Sequence, residues 1–247
     1  GKWYKEVRLK RKINGKNVFC YLSEPEKNNK KIIIMSHGFR GSTVGPARTF
    51  VDFSRILNKE DYSTLRFDHP NSGNSDGEYV FSSFNEWVST ISYFAKKYLS
   101  RRYAVSLFGQ SMGATATMIA TSNKELNNKI PCILLWVPDP KENCVISSNV
   151  IHEENGQKYK GSFFVEAKNA DFFDCLSKYP GKIHLVYGDK DKYVSKELRV
   201  KVSNEVKAKN QDNQIMILKN QDHSPWKFDI AQEVYKEELN FLNEFFK

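Results

Sequence analysis

The pentapeptide Gly109-Gln110-Ser111-Met112-Gly113 constrains this chain more than any other stretch. It follows the apolar run 104–108 and precedes 114–120, a good helix former. A G-x-S-x-G between a strand and a helix demands a very tight turn, in which side chains at Gly109 and Gly113 would meet neighbouring backbone. The serine is thereby lifted above the carboxyl edge of a sheet. Behind it lies a helix N-terminus, which favours developing negative charge. A plain turn is the alternative, and the strand–turn–helix context argues against it.

The rest of the chain supplies the sheet that such a turn needs. Segments 6–13 and 17–22 read as strands around Asn14-Gly15, a type I′ hairpin signal. Apolar strand-like runs follow at 31–36, 64–68, 104–109, 132–137, 183–188 and 214–219. Continuous apolar runs fit a parallel sheet covered on both faces. Helical patterning lies between them, at 46–59, 83–99, 195–209 and 226–246. Ser83-Phe84-Asn85-Glu86 is a capping box that opens the second of these. The alternation argues an α/β fold, a mostly parallel sheet led by an antiparallel hairpin.

One stretch breaks the rhythm. Between 138 and 181 the chain offers β-like pieces at 144–151 and 158–165, around Asn155-Gly156, then a helical piece near 170–177. A long excursion inside a compact domain is usually functional, often a lid over a site. The expected organisation is a core of 1–138 and 181–247 with a cap at 139–180.

Composition narrows the class. With 247 residues, 40% hydrophobic and 27% charged, the chain can bury a sizeable core and is neither disordered nor fibrous. Its apolar runs are too short for a membrane span, and no signal peptide pattern opens it. The net charge of +9 comes mostly from scattered lysines interleaved with acids. No nucleic-acid-binding motif accompanies them, so a solvated basic surface is expected. Cys20, Cys132, Cys144 and Cys175 lack metal-ligand spacing. Cys20 and Cys132 read as buried thiols, and whether Cys144 and Cys175 pair is open. The expectation is a cytoplasmic protein with no metal and no cofactor. Secretion stays open because the sequence starts at Gly1, and a homodimer stays open too.

A serine needs a base, and the base an orienting acid. Of five histidines, His223 alone follows the last strand on a carboxyl-edge loop. His37 follows a strand and reads as a loop-shaping residue, while His184 reads as packed within a strand. Two aspartates follow the strand 183–188, in Gly188-Asp189-Lys190-Asp191. Asp191 is far enough along for the loop to turn it back over the sheet edge, whereas Asp189 could instead hold the loop. The order Ser111, Asp191, His223 matches one hydrolase architecture. Two backbone N–H groups are needed for the oxyanion, and Met112 and Phe39 are placed to supply them.

These residues resemble the α/β-hydrolase superfamily. The resemblance runs from Ser-His-Gly-Phe at 36–39 through Gly-Gln-Ser-Met-Gly at 109–113 to Asp-His at 222–223. The chain is most similar to serine esterases that include bacterial feruloyl and cinnamoyl esterases. The resemblance implies catalytic Ser111, Asp191 and His223, Phe39 and Met112 as oxyanion donors, and a cap before the acid-bearing strand. One departure stands out. Relatives carry Asp-x-Arg-Gly-x-Gly-x-Ser where this chain has Asp68-His69-Pro70-Asn71-Ser72-Gly73-Asn74-Ser75. A differently shaped loop near the pocket is the expectation there.

The expected activity is carboxylic ester hydrolysis through an acyl-enzyme, on a small-molecule ester of short-chain or hydroxycinnamoyl type. A lipase, thioesterase or peptidase of the same fold is the alternative, and a non-catalytic binding protein a further one. Phe163, Phe164, Phe172 and Phe173 lie in the cap, with Trp136 at its root. Some of the four are expected to face the pocket; the alternative is that all four form the cap's own small core.

Overall fold

The computed structural model describes residues 3–247. Two strands open the chain, β1 (Tyr4–Ile13) and β2 (Lys16–Pro25), joined at Asn14-Gly15. Asn14 at φ 49 and Gly15 at φ 79 give the two left-handed residues that a type I′ turn requires. Then come β3 (Lys31–Ser36), α1 (Thr49–Lys59), β4 (Ser63–Phe67), α2 (Phe84–Ser100), β5 (Ala104–Gln110), α3 (Met112–Ala120) and β6 (Cys132–Trp136). The excursion holds β7 (Ile151–Glu154), β8 (Gln157–Lys160), α4 (Ser162–Asn169) and α5 (Phe172–Lys178). The chain ends with β9 (Lys182–Gly188), α6 (Lys196–Lys209), β10 (Gln214–Leu218) and α7 (Phe228–Phe245).

Eight strands form one sheet in the order β1-β2-β4-β3-β5-β6-β9-β10. From β4 onward all neighbours are parallel, and only β1–β2 and β2–β4 are antiparallel. The chain moves outward from β3 to β4, then returns to place β5 on the other side of β3. Such a reversal opens a crevice at the carboxyl ends of the strands, where ligands bind in open α/β sheets. Helices cover both faces. Thr64 of β4 bonds Ser54 of α1, while Phe67, on the opposite face of the same strand, meets Phe94 of α2. The central strands β3, β5 and β6 are buried almost throughout. Among the described residues no helix is long and apolar enough to cross a membrane.

The excursion departs from the sequence expectation. Residues 144–150 form no strand, and 162–165 are helical rather than extended. Phe163, Phe164 and Ala167 recur at helical spacing and are buried, with Phe163 packed on Trp87 and Phe84. Burial of that face outweighs the strand preference of Phe-Phe-Val. Smaller differences occur at helix starts. The first helix begins at Thr49, after a 3-10 turn at Pro46–Arg48, and the last begins at Phe228. All four cysteines are free thiols, so Cys144 and Cys175 do not pair. Burial pushes Cys20 up to about 11 and Cys132 up to about 12.

Glu6 fastens the antiparallel edge to the rest. Its carboxylate accepts hydrogen bonds from Ser23 (2.7 Å), Arg66 (2.6 Å) and both terminal nitrogens of Arg55 (3.1 and 3.2 Å). Burial alone would push this carboxyl up. The bonds from Arg55 and Ser23 and the Arg66 charge outweigh burial and hold it at about 2, against an ordinary 4.5. Because the folded value is depressed, the stabilisation is present above pH 4.5 and disappears as pH falls through about 2. Glu6→Gln is expected to cost about 2 kcal/mol at pH 7, since Arg66 keeps a buried charge with a weakened partner. Urea unfolding across pH should show the gap between wild type and variant closing in that acid window.

Candidate active site

The turn after β5 is built as the glycines require. A Cβ on Gly109 would lie 2.4 Å from the Gly113 carbonyl oxygen, and one on Gly113 would lie 2.3 Å from the His37 carbonyl oxygen. Ser111 takes φ 57 and ψ −123, a strained conformation for a residue with a side chain. Its N–H donates to the Trp136 carbonyl (2.8 Å), which pins the turn to the neighbouring strand.

Ser111 Oγ lies 2.8 Å from His223 Nε2, and His223 Nδ1 lies 2.7 Å from Asp191 Oδ2. A carboxylate only accepts, so Nδ1 carries the proton and Nε2 is left to accept from the serine hydroxyl. Asp191 is nearly buried, and its other oxygen accepts the N–H groups of Tyr193 (2.8 Å) and Val194 (2.9 Å). Asp189 does something else: its Oδ1 accepts the Asn220 N–H (2.8 Å), joining the loop after β9 to the loop after β10. These loops run so close that a Cβ on Gly188 would sit 2.3 Å from the carbonyl oxygens of Gln221 and Asp222.

The loop after β3 is fixed from below by a buried histidine pair. His37 Nε2 accepts the His69 N–H (2.9 Å), so its Nδ1 carries the proton and donates to the Gly38 carbonyl (2.7 Å). Burial lowers the basicity of both rings and keeps them neutral. His69 stacks on Trp87, its ring 4.1 Å away, and its Nε2 meets Ser36 Oγ at 2.7 Å. In a trans peptide the C=O and N–H point in opposite directions. Holding the Gly38 carbonyl toward His37 therefore turns the Phe39 N–H away from it. Phe39 and Met112 both line the cavity that contains Ser111 and His223. Met112 opens α3, and N–H groups in a helix's first turn have no intrahelical acceptor.

The cavity encloses about 500 Å³. Phe39, Tyr159, Phe164 and Tyr193 supply its aromatic walls. Of the four phenylalanines in the excursion, Phe164 lines it and Phe163, Phe172 and Phe173 do not. Phe163 and Phe164 also clamp the Phe39 ring, at 4.7 and 5.0 Å, so the excursion braces the loop after β3. Phe172 and Phe173 pack against each other. The loop 68–75 does not line this cavity. Asn71 takes φ 72 there, a conformation that asparagine tolerates well in place of glycine. Asp68 accepts the N–H groups of Thr43 (2.8 Å) and Asn74 (3.0 Å), so the loop acts as a brace. Among the described residues no group of three or more His, Cys, Asp or Glu is arranged to hold a metal ion.

Sequence reasoning missed Gln110. Its Nε2 donates to Ser224 Oγ (2.7 Å), and its Oε1 would lie 2.5 Å from a Cβ on Gly38. The carboxamide is wedged between the loop that bears Phe39 and the loop that bears His223. Its place inside the G-x-S motif was the available signal, but a variable position carries no side-chain rule. Gln110→Leu keeps the bulk and removes the donor. Its reaction with a fluorophosphonate probe at Ser111 is expected to slow by about tenfold or more, because small misplacements of reacting groups cost that much. Ser224→Ala should slow it similarly, and an unchanged rate in both would remove the strut.

Comparisons with known proteins agree with this architecture. A family model described as serine aminopeptidase, S33, matches residues 27–135. Among curated proteins no relative matches the sequence. Solved structures do. Est1E from Butyrivibrio proteoclasticus, with ferulic acid bound, superposes with a TM-score of 0.79 at 22% identity, over 95% of this chain and 99% of that one. The α/β hydrolase GrgF from Penicillium sp. sh18 gives 0.77 at 14% identity, over 98% and 99%. The Pyrococcus furiosus esterase Pf2001 gives 0.72 at 18% identity, over 99% and 94%.

Proposed function

Starting from the α/β-hydrolase fold of this chain, we propose that it is a serine-dependent carboxylic ester hydrolase working through an acyl-enzyme. The observation that carries the reading is the continuous chain of two hydrogen bonds from Ser111 through His223 to Asp191. Ser111 Oγ attacks the ester carbonyl as His223 Nε2 takes its proton. Asp191 holds the imidazole in the tautomer that can do this and stabilises the imidazolium that forms. The N–H groups of Phe39 and Met112 receive the negative charge on the carbonyl oxygen. His223 then passes its proton to the leaving alcohol. A water repeats the sequence on the acyl-enzyme, releasing the acid and restoring Ser111.

Residues 139–180 act in this reading as a small cap over the site. The short cap and the cavity of about 500 Å³ favour a bounded acyl group. Phe39, Tyr159 and Phe164 line the cavity, and contacts of such rings with a flat acyl group such as a hydroxycinnamate are worth about 0.5–1.5 kcal/mol per aromatic pair beyond area burial. The ferulic acid bound in the Est1E structure supports the same substrate class. The matched S33 model supports a second reading, a peptidase acting on a free amino terminus.

Ser111→Ala is expected to lower kcat by about 10⁴–10⁶ with an unchanged circular dichroism spectrum. Asp191→Asn should lose about 10⁴, and Asp189→Asn far less. The reverse order of the two aspartates would move the acid to Asp189. In a kinetic panel, methyl hydroxycinnamates and short acyl esters should exceed acyl chains beyond about ten carbons in kcat/KM. Faster cleavage of aminoacyl amides than of any ester would replace this reading with the peptidase.

A further inference from the structure

The charges around the cavity identify a feature of the substrate. Arg40 follows Phe39 directly, takes φ 63 and lines the cavity. Its side chain is 23% exposed, yet its ion-pair partner Glu154 Oε1 makes a single contact at 3.4 Å. Charge-assisted bonds ordinarily run at about 2.7–2.9 Å and, between arginine and a carboxylate, are often bidentate. A guanidinium carries about five N–H donors in a planar fork. Glu154 occupies one of them loosely, from a hairpin strand where its own side chain is 44% exposed. Pairs this exposed contribute at most about 1 kcal/mol. An incoming carboxylate can therefore displace Glu154 and take the fork with two bonds.

The other cation of the cavity is engaged differently. Lys141 Nζ lies 3.3 Å from Asp139 Oδ2 and 4.5 Å from the centre of the Phe164 ring. Asp139 is nearly buried and also accepts the Lys141 N–H (2.9 Å), so this pair is locked into the wall. Arg40 is thus the charged group that can change partner. The chain's net charge of +9 adds a long-range field that raises the local concentration of anions and repels cations.

We propose that Arg40 is a specificity residue that anchors a carboxylate carried by the substrate in addition to its scissile ester. The natural substrate is then an ester with a free carboxylate either on its acyl part, as in a monoester of a dicarboxylic acid, or on its alcohol part, as in an ester formed by the hydroxyl of a hydroxy acid. The inference rests on the ester-hydrolase reading for the position of the reacting carbonyl.

Two matched pairs test it at low ionic strength. They are p-nitrophenyl hydrogen succinate against p-nitrophenyl butyrate, and 4-acetoxybenzoate against phenyl acetate. In one pair the ratio of kcat/KM, anionic over neutral, should fall about tenfold on Arg40→Gln, and the intrinsic reactivities of the esters cancel in that comparison. The pair that responds shows whether the acyl or the alcohol part bears the charge. Glu154→Gln removes the competitor, so it should raise the same ratio several-fold. A ratio unmoved by Arg40→Gln in both pairs overturns the proposal. So does a preference for L-alanine p-nitrophenyl ester over p-nitrophenyl butyrate, which would give the ion-pair site to an ammonium group at Glu154. A measurement without turnover separates this inference from the hydrolase reading. In a Ser111→Ala background, calorimetry should show monomethyl succinate or 4-acetoxybenzoate bound about tenfold more weakly after Arg40→Gln. Equal binding, or none in either protein, sinks the anchor even if every ester is turned over.

Discussion

Everything at the carboxyl edge depends on how closely backbones approach beneath Ser111. Gly109 and Gly113 let β5, α3 and the end of β3 touch where any Cβ would collide with carbonyl oxygens. That contact fixes the serine at φ 57 and aims its hydroxyl upward. It also brings the peptide after His37 under the helix N-terminus. The same approach therefore sets the candidate nucleophile, one candidate oxyanion donor on α3, and the loop that carries the other. A substitution at either glycine would disturb all three at once, which separates these positions from ordinary turn glycines.

The loops that bear Asp191 and His223 are then registered to this turn by polar contacts rather than by the sheet alone. Gln110 reaches Ser224, and Asp189 reaches Asn220. Deeper in the core, Glu238 of α7 accepts from Trp136 of β6 (2.6 Å) and lies 3.0 Å from His184 of β9. All three side chains are fully buried. They connect the strand that leads to Asp191 with the helix that follows His223. Buried polar groups with specific partners favour one relative placement of elements over its near neighbours.

Where the sequence was informative, a local rule with a geometric cause was at work. Asn14-Gly15 demanded the hairpin, the apolar runs demanded a two-sided sheet, and the strand–glycine–serine–glycine–helix order placed Ser111. Since the parallel strands all end at one edge, that order also put the candidates Asp191 and His223 on neighbouring loops, while the contacts between them depend on the loops' own polar bonds. The excursion was less legible. Phe163-Phe164-Val165 suits a strand as well as a helix, and only burial against α2 decides between them. Gln110 and Arg40 were silent because the partners their side chains meet, Ser224 and Glu154, lie far along the chain. The loop at 68–75 was legible only in part. Its departure from the pattern of the esterases it resembles suggested a differently shaped loop near the pocket; the loop lines none of the cavity and braces the loop after β3 through Asp68 and the His69 N–H.

The central claim is that Ser111 becomes acylated during turnover. Rapid mixing with a p-nitrophenyl ester, followed by acid quench and peptide mass mapping, tests it directly. The account predicts a burst of about one p-nitrophenol per active site and an acyl mass increment on the peptide containing Ser111, absent in Ser111→Ala. Turnover with no burst, and no increment on that peptide under conditions where deacylation is slowed, would contradict it.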